Sequence, residues 1–209
     1  MHKGPFILDA NSIQFPSPNH ADAQGLLAVG GDLSPERLIE AYKHGIFPWF
    51  NQGDPILWWS PDPRAVLYLN DLKVSHSLKK LIHQHRYTVH FDRDIHAVIE
   101  ACRLPREKLR VGTWITPEMA ESYKTLFDMG YVHCVEIEQN GELWGGLYGV
   151  CIGKAFCGES MFSLKSNGSK LALYHLVAYL KGLGFEWIDC QVPSPHLERL
   201  GTKLVPRDL

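Results

Sequence analysis

No stretch of this chain is apolar for long enough to span a membrane. Its opening residues, MHKGPFILDANSIQFP, hold no continuous apolar run of the secretory-signal kind. A membrane protein is therefore not expected, and the cytoplasm is the expected compartment. Cysteine is scarce. The five present, Cys102, Cys134, Cys151, Cys157 and Cys190, are odd in number and lack CxxC spacing. That argues against a disulfide framework and leaves reduced, mostly buried thiols. Eleven histidines are scattered with no HExxH or other ligand spacing, so no metal is expected. P-loop, GxGxxG and GxSxG patterns are all missing. Nucleotide hydrolysis, dinucleotide binding and a hydrolase-type serine nucleophile are disfavoured accordingly. There is no internal repeat and no low-complexity segment.

What is present is ordinary globular material. A 209-residue chain, 45% hydrophobic and 21% charged, can build one domain, or one main domain with a small companion. The formal net charge of −2 hides an asymmetry. Between Lys73 and Arg110 nine basic side chains face four acidic ones, with five histidines among them. Such a run is either a phosphate-binding face or a solvated surface.

The densest signal is Gly45–Ala65, GIFPWFNQGDPILWWSPDPRA. Pro48, Pro55, Pro61 and Pro63 break helix and central strand alike, because each fixes φ and removes a donor. The segment is expected to be a loop system carrying Phe47, Trp49, Phe50, Trp58 and Trp59. It is either the aromatic wall of a ligand pocket or a linker packed down by tryptophans.

Around it, Ser34-Pro35 and Thr116-Pro117 read as helix starts, with Gly45 and Gly130 as the stops. Ser75 caps a helix to about His85, and Asp94–Cys102 is a short helix. Strands are expected at Ala65–Leu69 and Tyr87–Phe91. Val132–Glu138, the Asn140-Gly141 turn, Glu142–Cys151 and Ala155–Phe162 form an antiparallel run. An apolar helix over Lys170–Lys181 leads to a strand at Phe185–Val192. This order suggests a mixed sheet with that helix on one face.

Three polar side chains interrupt the apolar second half: Glu159 in FCGESMF, and Asp189 and Gln191 in FEWIDCQV. Strand alternation points Asp189 and Gln191 to one side and Cys190 to the other. Burying such groups unpaired costs roughly 2–7 kcal/mol each. They form either an internal hydrogen-bond network or a site for an amine or cation.

The blocks GLLAVGGDLSPERLIEAY, GIFPWF, GDPILWWSPDPRAV, GTWIT, GGLYGV, FCGESMFS and IDCQV lie between Phe15 and about Arg207. Through them the chain resembles the bacterial leucyl/phenylalanyl-tRNA–protein transferases. The resemblance implies an α+β protein. Residues 1–65 would form a small N-terminal α/β domain with the Trp/Pro loops. Residues 66–209 would form an acyl-CoA N-acyltransferase-like catalytic domain, a mixed sheet with helices. It implies transfer of leucine or phenylalanine, less readily methionine, from aminoacyl-tRNA to acceptor proteins beginning with Arg or Lys. The product would be marked for N-degron proteolysis. No cofactor is implied, and a monomer is expected. The aminoacyl pocket falls on Trp49, Trp114, Leu147, Met161, Leu173, Leu176, Leu180 and Ile188. The catalytic centre falls on Asp189, Gln191 and Glu159. Gln191 would accept a hydrogen bond from the attacking amine, Asp189 would hold amine and amide in line, and Glu159 would bind the acceptor's cationic group. Lys79, Lys80, Arg86, Arg103, Arg106, Lys108 and Arg110 are the tRNA candidates. Two departures stand out. ACRLPREKLRVGTW is longer and more basic than its counterparts, and the chain stops at Leu209 where relatives run on. The acyl-CoA pyrophosphate loop, R-x-x-G-x-G/A, is missing before the Lys170 helix. An acyl-CoA-dependent N-acyltransferase and an inactive tRNA-binding module are the alternatives.

Overall fold

The computed structural model describes residues 4–9, 11–108 and 113–207, with the side chains of 105–108 outside that description. Two sheets organise it. The smaller holds β1 (Phe6–Leu8), β2 (Leu26–Gly30), β3 (Phe47–Pro48) and β4 (Leu57–Trp59), in the order β1-β2-β4-β3. The larger holds β5 (Arg64–Tyr68), β6 (Thr88–Phe91), β7 (Val132–Gln139), β8 (Glu142–Ile152), β9 (Ala155–Ser163), β10 (Trp187–Gln191) and β11 (Lys203–Val205). Its order is β11-β5-β10-β9-β8-β7-β6. The helices are α1 (Pro35–Lys43), α2 (His76–Gln84), α3 (Ile95–Lys108), α4 (Pro117–Asp128), α5 (Gly168–Gly182) and α6 (Pro195–Leu200). Most pairs in the large sheet are antiparallel, but β10 joins β9 in parallel after the α5 crossover. This is the mixed α+β sheet with helices that the resemblance implies.

Local chemistry sets these elements. Ser75 Oγ accepts the Leu78 N–H and Thr116 Oγ1 the Met119 N–H, which starts α2 and α4 where the sequence places caps. The β7–β8 turn has Asn140 at φ 54° and Gly141 at φ 77°, as a two-residue hairpin loop requires. The Trp/Pro segment is more regular than expected. It contributes β3 and β4, and Pro48 is tolerated because β3 is an edge strand.

The large sheet buries both faces. On one, Tyr148, Val150 and Cys134 pack with Leu38 of α1, Val98 and Ile99 of α3, Tyr123 of α4 and Trp58 of the small sheet. On the other, Leu147, Phe156 and Ile188 pack with Leu78 of α2 and with Leu171, Leu173 and Leu176 of α5. The start of α5 is clamped to the sheet. A Cβ at Gly145 would collide with the Gly168 backbone, and Ser163 Oγ accepts the Ser169 N–H at 2.8 Å. Only glycine permits that approach, and the clamp fixes where Leu173 and Leu176 sit.

Candidate active site

β9 and β10 pair only through Phe156↔Ile188 and Cys157↔Asp189, and part beyond Gly158. A cavity of about 470 Å³ opens where they separate. Leu147, Met161, Leu173, Leu176 and Ile188 line it, with Trp49 and Trp114. These are seven of the eight residues expected in one apolar pocket. Leu180 is not among them. It is buried in the core on the α5 face of the sheet, because the helical stripe continues past the end of the cavity. Phe47, Phe156 and Phe162 also line the cavity; on an alternating strand, sequence alone cannot separate such residues from core. The open alternative over the tryptophans resolves by position. Trp58 is wholly buried, its Nε1 donating to Gly30 O, while Trp49 is 43% exposed and faces the cavity. Trp59 Nε1 donates to Trp49 O at 2.7 Å and steadies that wall.

Glu159 and Gln191 form the polar end. Gln191 Nε2 donates to Glu159 Oε1 at 2.9 Å, so the amide oxygen is turned the other way, as an acceptor. Tyr42 Oη lies 2.7 Å from Glu159 Oε1, and Tyr123 Oη 2.8 Å from Oε2. The two hydroxyls are themselves 2.7 Å apart. Three O···O contacts close a ring, and the tyrosines supply two protons. If the carboxyl is ionised, both point at it and nothing fills the Tyr–Tyr contact. Protonation of the carboxyl supplies the third. Oε1 already accepts from Gln191, so that proton belongs on Oε2. The electrostatics agree: burial foremost, with the nearby Asp189 charge, pushes the Glu159 carboxyl up to about 7 against hydrogen bonds that favour its charge. Both tyrosines, fully buried beside it, are raised well above the usual phenol value. Both Glu159 oxygens thus already hold partners, and the residue borders the cavity. Sequence reasoning missed Tyr42 and Tyr123, which lie 117 and 36 residues from Glu159.

The raised carboxyl sets a pH dependence. The folded state keeps a proton that the unfolded chain releases near 4.5, so the group's contribution is complete below that value. It is lost as pH rises to about 7. Glu159→Gln keeps the ring, with its amide donating to Tyr123, and does not titrate. The unfolding free energy of wild type relative to E159Q should fall by about 3 kcal/mol between those pH values and then level off. Urea unfolding at stepped pH measures it; parallel profiles would contradict the ring.

Asp189 is placed differently from expectation. A bulge interrupts the β10–β5 pairing between Asp189 and Gln191, and Gln191 sits at φ 63°. The alternation is broken there, so Gln191 and Cys190 line the cavity and Asp189 does not. Asp189 instead takes Arg64 Nε at 2.9 Å and Nη2 at 2.6 Å, both side chains buried. Its Oδ1 also accepts the Gln191 N–H at 2.8 Å. Arg64 Nη1 donates to Gly45 O at 2.8 Å, and its guanidinium lies over the Phe47 ring. Burial works against the Arg64 charge, but the Asp189 carboxylate more than offsets it and holds the guanidinium protonated. Asp189 is therefore committed to Arg64 and to the strand, outside the cavity lining. Arg64 is the third residue the sequence did not flag, since a lone arginine after two prolines reads as surface.

The basic run does not form one face. Lys79 and Lys80 are exposed on α2, on the α5 side, and Arg86 is exposed beyond it. Arg103 lies on α3, across the sheet, and is held by Glu100 at 2.7 Å. Arg106 and Lys108 lie on α3 with side chains outside the described ones, and Arg110 lies outside the described residues. Among the described residues, helix packing puts Lys79 and Lys80 on one face of the sheet and Arg103 on the other. Among the described residues no cluster of His, Cys, Asp and Glu could hold a metal, and no helix is long and apolar enough to cross a membrane.

Residues 66–209 match the family model described as leucyl/phenylalanyl-tRNA protein transferase, and residues 31–62 match the model of that family's N-terminal domain. The chain is 55% identical to the leucyl/phenylalanyl-tRNA–protein transferase of Azotobacter vinelandii over 202 residues, 96% of this chain and 89% of that one. It is 56% identical to the enzyme of Nitrosospira multiformis, covering 88% and 79%. Among solved structures it resembles a conserved protein of unknown function from Bacteroides thetaiotaomicron (TM-score 0.51, 13% identity, 66% and 54% covered). It also resembles FemX (TM-score 0.50, 10% identity, 82% and 66% covered).

Proposed function

This chain belongs to the leucyl/phenylalanyl-tRNA–protein transferase family, enzymes that move an amino acid from tRNA to protein, and on that premise we propose what it transfers, to what, and how. The donors are leucyl- and phenylalanyl-tRNA, with methionyl-tRNA poorer. The acceptors are proteins beginning with Arg or Lys. The product enters N-degron proteolysis in the cytoplasm, and the enzyme works as a monomer. Residues 1–65 and 66–209 act as a small domain and a catalytic domain that share the cavity.

One observation carries this: an apolar cavity of about 470 Å³ that ends at the Glu159 carboxyl and an outward amide oxygen. Its walls suit side chains unbranched at Cβ, and a misplaced methyl at that point is worth roughly 1–3 kcal/mol. The donor ester is already activated. The acceptor amine, with a pKa near ~8, is partly free at neutral pH. Its nitrogen attacks the ester carbonyl while an N–H donates to Gln191 Oε1. The new C–N bond forms, the C–O bond to the ribose breaks, and the ribose oxygen takes up the proton the nitrogen loses. Gln191 orients; an amide is too weak a base to deprotonate. Holding nitrogen and carbonyl in contact supplies most of the acceleration.

The test offers leucyl-tRNA, or acetyl-CoA, together with an Arg-initiated peptide. Mass should increase by one leucine residue with the first donor only. Acetylation, or no product with either, would overturn the proposal. For the tRNA body, Lys79→Ala/Lys80→Ala should flatten the log–log salt dependence of tRNA binding by about one to two units. Arg103→Ala, across the sheet, should leave the slope in place. Equal slopes in all three proteins would move the tRNA path off α2.

A further inference from the structure

Beside the cavity lies a second depression, of about 390 Å³, formed where α2 begins, α5 begins and α6 passes. Lys73, Ser75, Lys170, His196 and Arg199 line it. His196 lines the main cavity as well, so the two hollows share a wall.

The charge there is one-sided. Lys170 Nζ reaches Asn167 Oδ1 at 3.3 Å, and no described carboxylate pairs with Lys73, Lys170, Arg199 or His196. The His196 imidazole is pushed down, by burial first and then by Lys170 and Arg199. Three cations thus line a concave surface, and two of them, Lys170 and Arg199, lower the basicity of the histidine beside them. Lys203 and Lys165, by contrast, have Asp71 and Glu142 within reach. Like charges gathered without a counter-ion repel, and a concave wall concentrates their field. The first amides of α2 add the positive end of a helix dipole. A polyanion relieves that arrangement; a neutral or cationic ligand does not.

We propose that this depression binds the phosphodiesters of the single-stranded 3′ end of the donor, one step back from the aminoacyl end held in the main cavity. The proposal rests on the donor assignment above. With the aminoacyl group among Leu173, Leu176 and Trp114, the adenosine lies at the mouth. The chain then passes His196 to Lys170, Arg199 and Lys73. Lys79 and Lys80, further along α2, continue the basic path toward the stem. Phosphates are bound there without base readout, so the site acts on every donor tRNA alike.

The test compares three phenylalanyl donors: an adenosine ester with no phosphate, the cytidylyl-cytidylyl-adenosine ester with its phosphodiesters, and full tRNA. Each is given to wild type, to Lys170→Gln/Arg199→Gln and to Lys170→Arg. Wild type should use the trinucleotide with a KM about tenfold below that of the adenosine ester. Its log KM should depend on log salt with a slope of about 0.7 per phosphate contact. The double variant should lose that advantage and that slope while using the adenosine ester as wild type does, which shows that it is folded. Lys170→Arg, which keeps the charge, should keep both. Free inorganic phosphate should compete with the trinucleotide and not with the adenosine ester. A wild type that uses charged tRNA but gains nothing from the trinucleotide overturns the phosphate site alone. So does a gain that survives in the double variant, or a variant weakened equally on all donors. No transfer from any donor overturns the function itself, and this proposal with it.

Discussion

Asp189→Asn should destabilise the protein by about 3–5 kcal/mol, the usual cost of removing one partner from a buried ion pair. The substitution keeps the shape and deletes the charge. Arg64, 7% exposed, cannot shed its proton, and asparagine offers it one neutral acceptor where the carboxylate gave two. Arg64→Met should cost a similar amount for the mirror-image reason. Arg64→Met/Asp189→Leu removes both charges, and its stability should return close to wild type. Activity should not return. Asp189 Oδ1 also accepts the Gln191 N–H that holds the bulge at φ 63°. With that bond gone the Gln191 amide is displaced, and a shift of about 1 Å at a reacting centre costs about a hundredfold. Unfolding and transfer measured on all four proteins decide this. Stability that tracks activity across the set, or a wild-type-like Asn variant, would refute a positioning role.

Leu173→Trp should abolish donor use, by at least about a hundredfold in kcat/KM, and leave the protein folded. Leu173 and Leu180 stand two turns apart on α5, and both are almost fully buried. Only Leu173 borders the cavity, so the added indole has space to enter, and the space it takes is the donor's. Leu180 faces packed core. Leu180→Ala should cost about 2–5 kcal/mol in unfolding free energy. The folded fraction should still accept leucine and phenylalanine normally. Unfolding curves beside transfer kinetics separate the two. A Leu173→Trp protein that uses leucyl-tRNA normally would remove Leu173 from the pocket wall. A Leu180→Ala protein that stays fully stable but rejects donors would put Leu180 back in it.

The contrast shows what the sequence could and could not disclose. Features set by a few neighbouring residues were legible: the Ser75 and Thr116 caps, the Asn140-Gly141 hairpin, and α5 with its glycine stop. So was the likeness of Glu159, Asp189 and Gln191 to a polar centre, since polar side chains in apolar strands need partners. Their relative direction was not. Strand alternation predicts Asp189 and Gln191 side by side, and one bulge turned them apart. Arg64, Tyr42 and Tyr123 carry no local mark, because their partners lie 125, 117 and 36 residues away. Leu180 shares the helical period of Leu173 and Leu176, and periodicity does not register where a cavity ends. The basic run is continuous in sequence, yet Lys79 and Lys80 on α2 and Arg103 on α3 are divided in space, because those helices cover different faces of one sheet.

The distances along the chain that close the Glu159 ring and the Arg64–Asp189 pair bear on when the enzyme becomes active during its own synthesis. Arg64 is made 125 residues before its partner, and Tyr42 precedes Glu159 by 117. Closing loops of that length carries an entropic cost that only the finished contacts repay. The small sheet and α1 can take shape early. The cavity's polar end cannot exist until Gln191 has left the ribosome, several seconds after Arg64 at about 5–20 residues per second. A nascent chain that lacks Gln191 therefore lacks the polar end of its cavity, however much charged tRNA surrounds it.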